Sequence, residues 1–373
     1  MTGESTSSGK AAPSRSGPLS GIRVIEMEAI GPVPLAAMIL ADLGADVVRI
    51  DRPQAGYWGE TGNAVILRGR TRIALDLKDP AQRNRLLDLV AGADALIEGG
   101  RPGVMERLGL GPAECLGRNP ALVYVRLTGW GQDGPLAQTA GHDITYLALS
   151  GALHAIGEPD RPPRAPLNLV GDYAGGSMFA ALGLISALLK ARADGMGQVV
   201  DAAMVDGIAT LLSLYHELLS SGQWEDKRGA NFLDGAAPYY RCYDCADGKA
   251  VAVGALEPQF FAALLAGLDI PADRYVQTDR AGWPQMEQDF AAVFAALPRD
   301  VWAQRFAATD ACVAPVLSLR EAATHPANLA RAVFSEQDGV MQASPAPRFS
   351  RTPGAIGAAA GSTIDAAVAA WTD

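Results

Sequence analysis

Short apolar runs that alternate with helical segments mark the first part of the chain. Gly21–Met27 and Ala45–Ile50 are apolar runs of strand length, and Leu35–Leu43 between them has the pattern of a short helix. Pro34 suits the first turn of that helix and Gly44 suits its end. This strand–helix–strand unit predicts a parallel α/β sheet.

The same alternation continues to about residue 220, and it predicts more strands and helices. The turn after the first strand lacks a G-x-G-x-x-G pattern, which disfavours a nicotinamide oxidoreductase and leaves the unit Rossmann-like in layout only. The further predicted strands are Ile73–Leu77, Ala95–Glu98, Leu122–Leu127 and a short one that follows a turn within Gly195–Asp201. The predicted helices are one that Asp79 and Pro80 open, Tyr173–Arg192 and Ala202–Ser220.

The pattern changes at about residue 239. Arg241–Tyr243 and Lys249–Val253 flank Asp247 and Gly248, a dipeptide typical of a hairpin turn. Helical patterns then follow at Pro258–Leu268, Trp283–Ala296 and Arg299–Ala308. This part of the sequence predicts a small α+β domain.

These patterns predict an α/β protein with two domains. Residues 1–16, rich in Ser, Gly, Ala and Pro without an apolar core, are expected to be a disordered tail and not a secretory signal. The predicted organisation is a large Rossmann-like parallel-sheet domain at 17–196 to which 331–373 returns, linker helices at 197–238, the small α+β domain at 239–320 and a linker at 321–330.

Composition narrows the possible partners. The 373 residues are 49% hydrophobic and 19% charged, with a net charge of −10. An acidic chain of this kind disfavours nucleic acid and an anionic membrane as partners. The apolar run Tyr173–Leu189 is short for a bilayer span and is predicted to be a buried core helix.

The four cysteines do not predict a disulfide or metal framework. Only Cys242 and Cys245 are close in sequence, and neither a second such pair nor a nearby histidine completes a zinc site. We expect a reduced, cytoplasmic protein.

Two candidate proton carriers lie between residues 140 and 176. His142 follows a glycine at the start of an apolar run, and Asp172 lies between a short apolar run and a Gly-Gly pair, where a long helix is predicted to begin. An imidazole and a carboxylate that the fold brings together can exchange protons with a substrate. The residues alone leave the alternatives open, since a lone histidine is often structural and an aspartate before a helix is often its N-cap.

Basic residues cluster between positions 49 and 107. Arg52 follows the second predicted strand, and ligands usually bind at the carboxyl ends of parallel strands. Arg52 is therefore well placed for a phosphate, and arginine is suited to the phosphates of coenzyme A. Arg68, Arg70 and Arg72 alternate within this cluster, and we expect most of its arginines to be solvated.

Several strings of the sequence resemble those of a known family. They are Gly141-His142-Asp143-Ile144, Pro166-Leu167-Asn168-Leu169, Gly197-Gln198-Val199-Val200-Asp201-Ala202, Asp234-Gly235-Ala236-Ala237-Pro238-Tyr239-Tyr240 and Val253-Gly254-Ala255-Leu256-Glu257-Pro258-Gln259-Phe260. Together they resemble the α-methylacyl-CoA racemases of the family III CoA-transferase superfamily, from about Pro18 to about Arg351.

The resemblance implies an enzyme of lipid metabolism that acts on acyl-CoA as an interlaced homodimer and needs no cofactor, because coenzyme A is part of the substrate. His142 and Asp172 would be the two bases, and Glu257, from the partner chain, would keep the Asp172 proton shared and oriented. Residues implied to contact coenzyme A are Arg52, Leu75, Asp76, Leu77, Lys78, Arg107, Gly141, Asp143, Ile144, Thr145 and Tyr146.

Two other functions compete with racemisation. A family III CoA-transferase would use Asp172 as a nucleophile, and a non-catalytic acyl-CoA-binding protein would need the basic cluster alone. His142 favours the racemase, because a transferase needs no second base there. The sequence departs from the family pattern at Thr145, where asparagine is common, and at Gly100, where an aromatic residue is common.

Overall fold

The structure is a computed structural model, and it describes residues 16–54 and 63–372. All but one residue of the predicted disordered tail at 1–16 lies outside the described residues. The strands are β1 (Arg23–Met27), β2 (Asp46–Asp51), β3 (Arg70–Ala74), β4 (Ala95–Glu98), β5 (Val123–Thr128), β6 (Val199–Ala203), β7 (Tyr240–Asp244), β8 (Ala250–Gly254), β9 (Val313–Pro315), β10 (Phe334–Gln337), β11 (Val340–Ala343) and β12 (Ala360–Gly361).

Most helices begin and end within a few residues of the sequence prediction. The α-helices are α1 (Pro32–Asp42), α2 (Asn63–Ile66), α3 (Pro80–Ala91), α4 (Val104–Arg107), α5 (Pro112–Arg118), α6 (Asp143–Ser150), α7 (Phe179–Asp194), α8 (Met204–Leu211), α9 (Ser213–Ser220), α10 (Pro258–Gly267), α11 (Trp283–Phe294), α12 (Arg299–Phe306), α13 (Leu319–Thr324), α14 (Pro326–Ala330) and α15 (Ile364–Thr372). A π-helix, Leu169–Met178, leads directly into α7, and two 3₁₀ turns cover Ala152–Ala155 and Arg280–Gly282.

A seven-stranded parallel sheet organises the first of two compact units. Its strand order is β12-β3-β2-β1-β4-β5-β6, and every neighbouring pair is parallel. This confirms the predicted Rossmann-like layout, since 3-2-1-4-5-6 is the classical doubly wound order. The strand order reverses between β1 and β4, so the carboxyl ends of these two strands are where such a sheet binds ligands.

Among the described residues, this first unit comprises 16–54, 63–146, 168–208 and 332–372. One core of this unit packs strand side chains such as Ile25 and Leu96 against Leu86 and Leu89 of α3. The C-terminal helix α15 adds Trp371 to the same core. The C-terminal segment therefore belongs to the sheet unit by burial of its apolar side chains.

The second unit comprises 147–167 and 209–331. An antiparallel sheet of order β7-β8-β9 packs against helices through an aromatic core that includes Phe290, Phe294 and Trp302. The unit is larger than the predicted small domain at 239–320. It also includes 147–167, which were predicted to belong to the large domain, and most of the residues predicted to be linkers. These segments make most of their contacts with the second unit.

Three element predictions differ from the structure. Strand β3 starts three residues earlier than predicted, because the charge of Arg70 is buried in the sheet by an ion pair with Glu26. The helix predicted at Ala202–Ser220 is two helices that break at Leu212, and β6 extends to Ala203. The helix predicted from Tyr173 begins at Leu169, and its first ten residues are a π-helix.

The helical run Leu169–Asp194 packs against α1, β5 and β6. By length and composition alone it could cross a membrane, and half of its most apolar window is buried within the protein. These are also the features of the core helix that the sequence predicts.

Candidate active site

Asp172 lies beside the loop that follows β1, at the point where the strand order reverses. Gly31 ends this loop at the N-cap of α1, with φ of 71°. A Cβ atom at position 31 would stand 3.2 Å from Oδ2 of Asp172. Glycine is therefore required here both for its backbone conformation and to leave room next to the carboxylate.

Asp143 anchors the start of the helix that carries Asp172. Its Oδ2 atom accepts the N–H groups of Gly171 at 2.7 Å and of Asp172 at 2.8 Å. A Cβ atom at position 171 would lie 2.8 Å from that oxygen, so glycine permits the approach. The Oδ1 atom is buried and makes no hydrogen bond with the described residues. The side chain of Asp143 thus fixes Asp172 in place, and its contact with coenzyme A stays a prediction.

His142 is exposed and immediately precedes α6. Thr145 holds its main chain at both ends: the Thr145 hydroxyl accepts the N–H group of His142 at 3.0 Å and donates to its carbonyl at 2.7 Å. The departure from the family pattern at position 145 therefore falls on a residue that fixes the backbone of the candidate base. The imidazole is left accessible to a substrate.

Asp143 joins the segments that carry the two candidate proton carriers, because it follows His142 directly and accepts the N–H group of Asp172. Partial burial raises the pKa of Asp172, and the nearby carboxylate of Asp143 raises it further. A hydrogen bond from Asn168, at 3.5 Å, and the charge of His142 act in the opposite direction, and the net shift is upward. The structure therefore brings the segments of His142, Asp143 and Asp172 together. At a given pH, Asp172 is protonated to a greater extent than an exposed aspartate.

Tyr146 is buried beneath this cluster and packs edge-on against Trp130, with ring centroids 4.8 Å apart. Cβ atoms at positions 129 and 141 would overlap its ring, at 2.2 and 2.5 Å, so both glycines make room for it. Burial, together with the charges of Asp172 and Asp143, raises the pKa of Tyr146 to about 12. Its ring packs against the glycine that precedes His142, and its contact with coenzyme A stays a prediction.

Most arginines of the predicted basic cluster form ion pairs inside the first unit. Arg70 is fully buried against Glu26, which also pairs with Arg49. Arg68 is buried against Asp42, and Arg72 binds Asp51 at 2.7 Å. The expectation of solvated side chains is wrong for Arg68 and Arg70, because complementary carboxylates on neighbouring elements take up their charges, whereas the side chain of Arg72 is 32% exposed.

The other residues predicted to contact coenzyme A lie on the first unit. The Arg52 side chain is 75% exposed at the carboxyl end of β2, with Nε 3.9 Å from Glu28. Arg107 is exposed on α4. After β3, Asp76 and Lys78 are exposed whereas Leu75 and Leu77 pack into the core. Gly141, Ile144 and Thr145 surround His142 at the start of α6, and Ile144 is 43% exposed.

Glu257 lies in the second unit as the exposed N-cap residue of α10, and its carboxylate makes no capping hydrogen bond. The same unit contains a cavity of about 1010 Å³ beside β7 and β8, lined among others by Arg241, Glu287 and Trp283. Glu257 is not among the residues that line it.

Cys242 is exposed and Cys245 is buried, and both are free thiols. Within residues 16–54 and 63–372, no group of three or more His, Cys, Asp or Glu side chains could hold a metal ion.

Sequence reasoning missed Gly31 and did not foresee the anchoring role of Asp143. Gly31 was predicted only as part of a turn, although a glycine between an apolar strand and a Pro-Val-Pro helix start signals a special backbone conformation. The anchoring role of Asp143 carries no local signal, because its partners Gly171 and Asp172 are 28 and 29 residues away in sequence.

Known proteins resemble the chain over nearly its whole length. The sequence profile of CoA-transferase family III matches residues 19–362. The α-methylacyl-CoA racemase of Mus musculus is 45% identical over 337 residues, which is 90% of this chain and 87% of the relative. That of Homo sapiens is also 45% identical, over 339 residues and the same shares.

A solved structure has the same fold. The crystal structure of a CAIB/BAIF family protein from Brucella suis superposes with a TM-score of 0.79 at 25% identity, covering 96% of this chain and 100% of that one.

Proposed function

The chain belongs to CoA-transferase family III, and we propose that within it this protein is an isomerase that interconverts the 2R and 2S epimers of 2-methylacyl-CoA thioesters. The observation that carries the proposal is that Asp143, the residue directly after His142, accepts the main-chain N–H group of Asp172 at 2.8 Å, so that the segments of both candidate bases meet at the carboxyl edge of the parallel sheet. An epimerase that works by proton transfer needs two acid/base groups, one for each face of C2.

In one direction, neutral His142 removes the proton from C2 and the electron pair moves onto the thioester oxygen as an enolate. Protonated Asp172 then gives a proton to the opposite face of C2, and the raised pKa of Asp172 favours this form. In the other direction the two groups exchange roles. In the first turn of α6 the N–H groups of Thr145 and Tyr146 donate to the carbonyl of His142, so those of Asp143 and Ile144 are the donors proposed for the enolate oxygen.

The competing reaction is CoA transfer with Asp172 as nucleophile, since Asp172 alone suits either chemistry. The position of His142 favours racemisation, because a second proton carrier coupled to Asp172 has no role in anhydride formation.

The reaction itself is tested by incubating wild-type protein with pure (2R)-2-methylacyl-CoA in D₂O, with a free carboxylate present as a possible CoA acceptor. We expect a mixture of epimers with deuterium at C2, because each proton carrier exchanges with solvent between turnovers. Chiral chromatography and mass spectrometry measure both. Transfer of CoA to the carboxylate without deuterium at C2 would contradict the proposal and support the transferase.

Binding of coenzyme A is proposed to involve Arg52. The Arg52→Ala variant is expected to bind free CoA about tenfold or more weakly, because a hydrogen bond between charged groups contributes about 1.5–3 kcal/mol. The turnover number should change little, since a phosphate contact is remote from C2. Calorimetric titration with CoA measures the affinity, and Arg192→Ala, an exposed arginine on α7, is the matched control. Equal affinity of wild type and Arg52→Ala would refute this contact.

The active form is proposed to be a homodimer to which Glu257 of the partner subunit contributes. Helix α7 and the residue before it expose the large apolar side chains of Met178, Leu182 and Leu189, by 51%, 61% and 69%, and exposed apolar surfaces of this kind are typical of association sites. Light scattering is expected to give about twice the chain mass at all practical concentrations. A fully active monomer would rule out a site shared between two chains.

A further inference from the structure

Three charged side chains meet where strands β4 and β5 end. Arg126 donates from Nε to Oε1 of Glu98 at 3.1 Å, and its Nη1 pairs with Oε1 of Glu106 at 2.8 Å. The side chains of Glu98 and Arg126 are 1% and 9% exposed. One guanidinium therefore links two strands of the sheet to the short helix α4, which carries Glu106.

The same carboxylate holds the turn 99–103. Oε2 of Glu98 accepts the N–H group of Gly100 at 2.6 Å. On the other side of the turn, the side-chain amide of Gln138 donates to the carbonyl of Pro102 at 3.0 Å. Gln138 lies in the loop that leads to His142, so the turn is tied to the segment that carries the candidate base.

The turn also packs directly on the segment that borders Asp172. A Cβ atom at position 99 would lie 2.9 Å from Cγ2 of Val33 and 3.3 Å from Cβ of Ala29. These two residues flank Gly31, which lies against the Asp172 carboxylate. The turn 99–103 is therefore a wall of the crevice where the strand order reverses.

Keeping Glu98 in this position is energetically costly. Burial raises the pKa of Glu98 to about 7, although the Gly100 N–H group and Arg126 favour its charged form. Proton transfer at C2 uses neither Glu98 nor Arg126. A buried ion pair is weak evidence for stability, so its place at the ligand edge of the sheet calls for another role.

Resting on the proposed acyl-CoA reaction, we propose that Arg126 is a positioning residue for the coenzyme A half of the substrate. Through Glu98 and Glu106 it fixes the turn 99–103 and α4, and these carry the exposed residues Arg101 and Arg107. Two guanidinium groups held in this way match the phosphates of coenzyme A. Arg126 itself touches neither the substrate nor the reacting atoms.

The test compares two substrates, 2-methylacyl-CoA and the corresponding 2-methylacyl-pantetheine thioester, which lacks the phosphates. For Arg126→Ala we expect KM for the CoA thioester to rise about tenfold or more, because small misplacements of binding groups are costly. Its kcat and its kcat/KM for the pantetheine thioester should stay close to wild type. For Arg126→Lys, KM for the CoA thioester should lie between those of the wild type and Arg126→Ala, because an ammonium cannot make the same forked contact.

Arg118→Ala, which removes an exposed arginine paired with Asp88, is the matched control. Its KM and kcat should equal those of the wild type with both substrates. If Arg126→Ala does not fold, Glu106→Gln carries the test, because it releases only the partly exposed end of the clamp on α4. Equal losses on both substrates would show a merely structural role and overturn the proposal, as would an unchanged KM for the CoA thioester.

Titration with free CoA separates this inference from the proposed function. Weakened CoA binding in Arg126→Ala supports the positioning role even if the wild type does not racemise its substrate. Unchanged CoA binding in that variant overturns the positioning role even if the wild type is an active racemase.

Discussion

Replacing His142 by alanine or Asp172 by asparagine is expected to slow racemisation strongly in both directions. Every turnover needs one group to remove a proton and the other to return one, so a single loss slows both directions. A positioned acid or base contributes about 10²–10⁴-fold to a rate, and kcat should fall by about that factor in each variant. Polarimetry or chiral chromatography, started from each pure epimer, measures the loss.

Two surface variants serve as matched controls for this experiment. His216→Ala removes an exposed imidazole from α9, and Asp194→Asn removes an exposed carboxylate that pairs with Lys190 at the far end of α7. Both should keep wild-type activity. A His142→Ala or Asp172→Asn protein that retains most of its racemase activity would show that the replaced residue is not one of the two bases.

The second large effect is expected at Asp143. Asp143→Ala leaves the N–H groups of Gly171 and Asp172 without their acceptor, and each buried unsatisfied group costs about 1–3 kcal/mol. The free energy of unfolding, measured with denaturant, should fall accordingly. Activity should fall too, because the start of the helix that carries Asp172 loses its anchor.

Asp143→Asn separates the charge of Asp143 from its hydrogen bonds. Asparagine keeps an oxygen that can accept both N–H groups, but it removes the negative charge that raises the pKa of Asp172. Racemisation needs the His142–Asp172 pair to hold one proton, and the acid limb of the kcat/KM profile marks the binding of a second. A lower pKa of Asp172 therefore moves this limb to lower pH in both directions.

The pH profile of each direction checks this shift, with Asp133→Asn, an exposed aspartate after β5, as control. An acid limb at the wild-type pH in Asp143→Asn would show that Asp143 does not influence the titration of Asp172. An Asp143→Ala protein as stable as the wild type would show that the two N–H groups find other partners.

The sequence predicts the parallel sheet well because each buried strand is a short apolar run between helical patterns. Strand β12 was missed, since two residues, Ala360 and Gly361, are too short for any periodicity to show. The start of β3 was missed for another reason. Arg70 and Arg72 read as surface residues, and only their long-range partners Glu26 and Asp51 make them compatible with a strand.

The candidate site was predicted in part. His142 and Asp172 lie in recognisable strings, and the structure brings them together. The π-helix that carries Asp172 was not predicted, because apolar and small residues give the same pattern for an α-helix and a π-helix. The influence of Asp143 on Asp172 depends on a tertiary contact that no local pattern encodes.

The central claim is that His142 and Asp172 act on opposite faces of C2. It is tested most directly by measuring deuterium exchange into each pure epimer with the variants His142→Ala and Asp172→Asn. The measurement is made before appreciable conversion, so that back-reaction does not mix the faces. His142→Ala should exchange only the epimer whose C2 proton faces Asp172, because one base can remove a proton and return a deuteron on the same face. Asp172→Asn should exchange only the other epimer. Exchange of the same epimer by both variants would contradict two bases on opposite faces of C2.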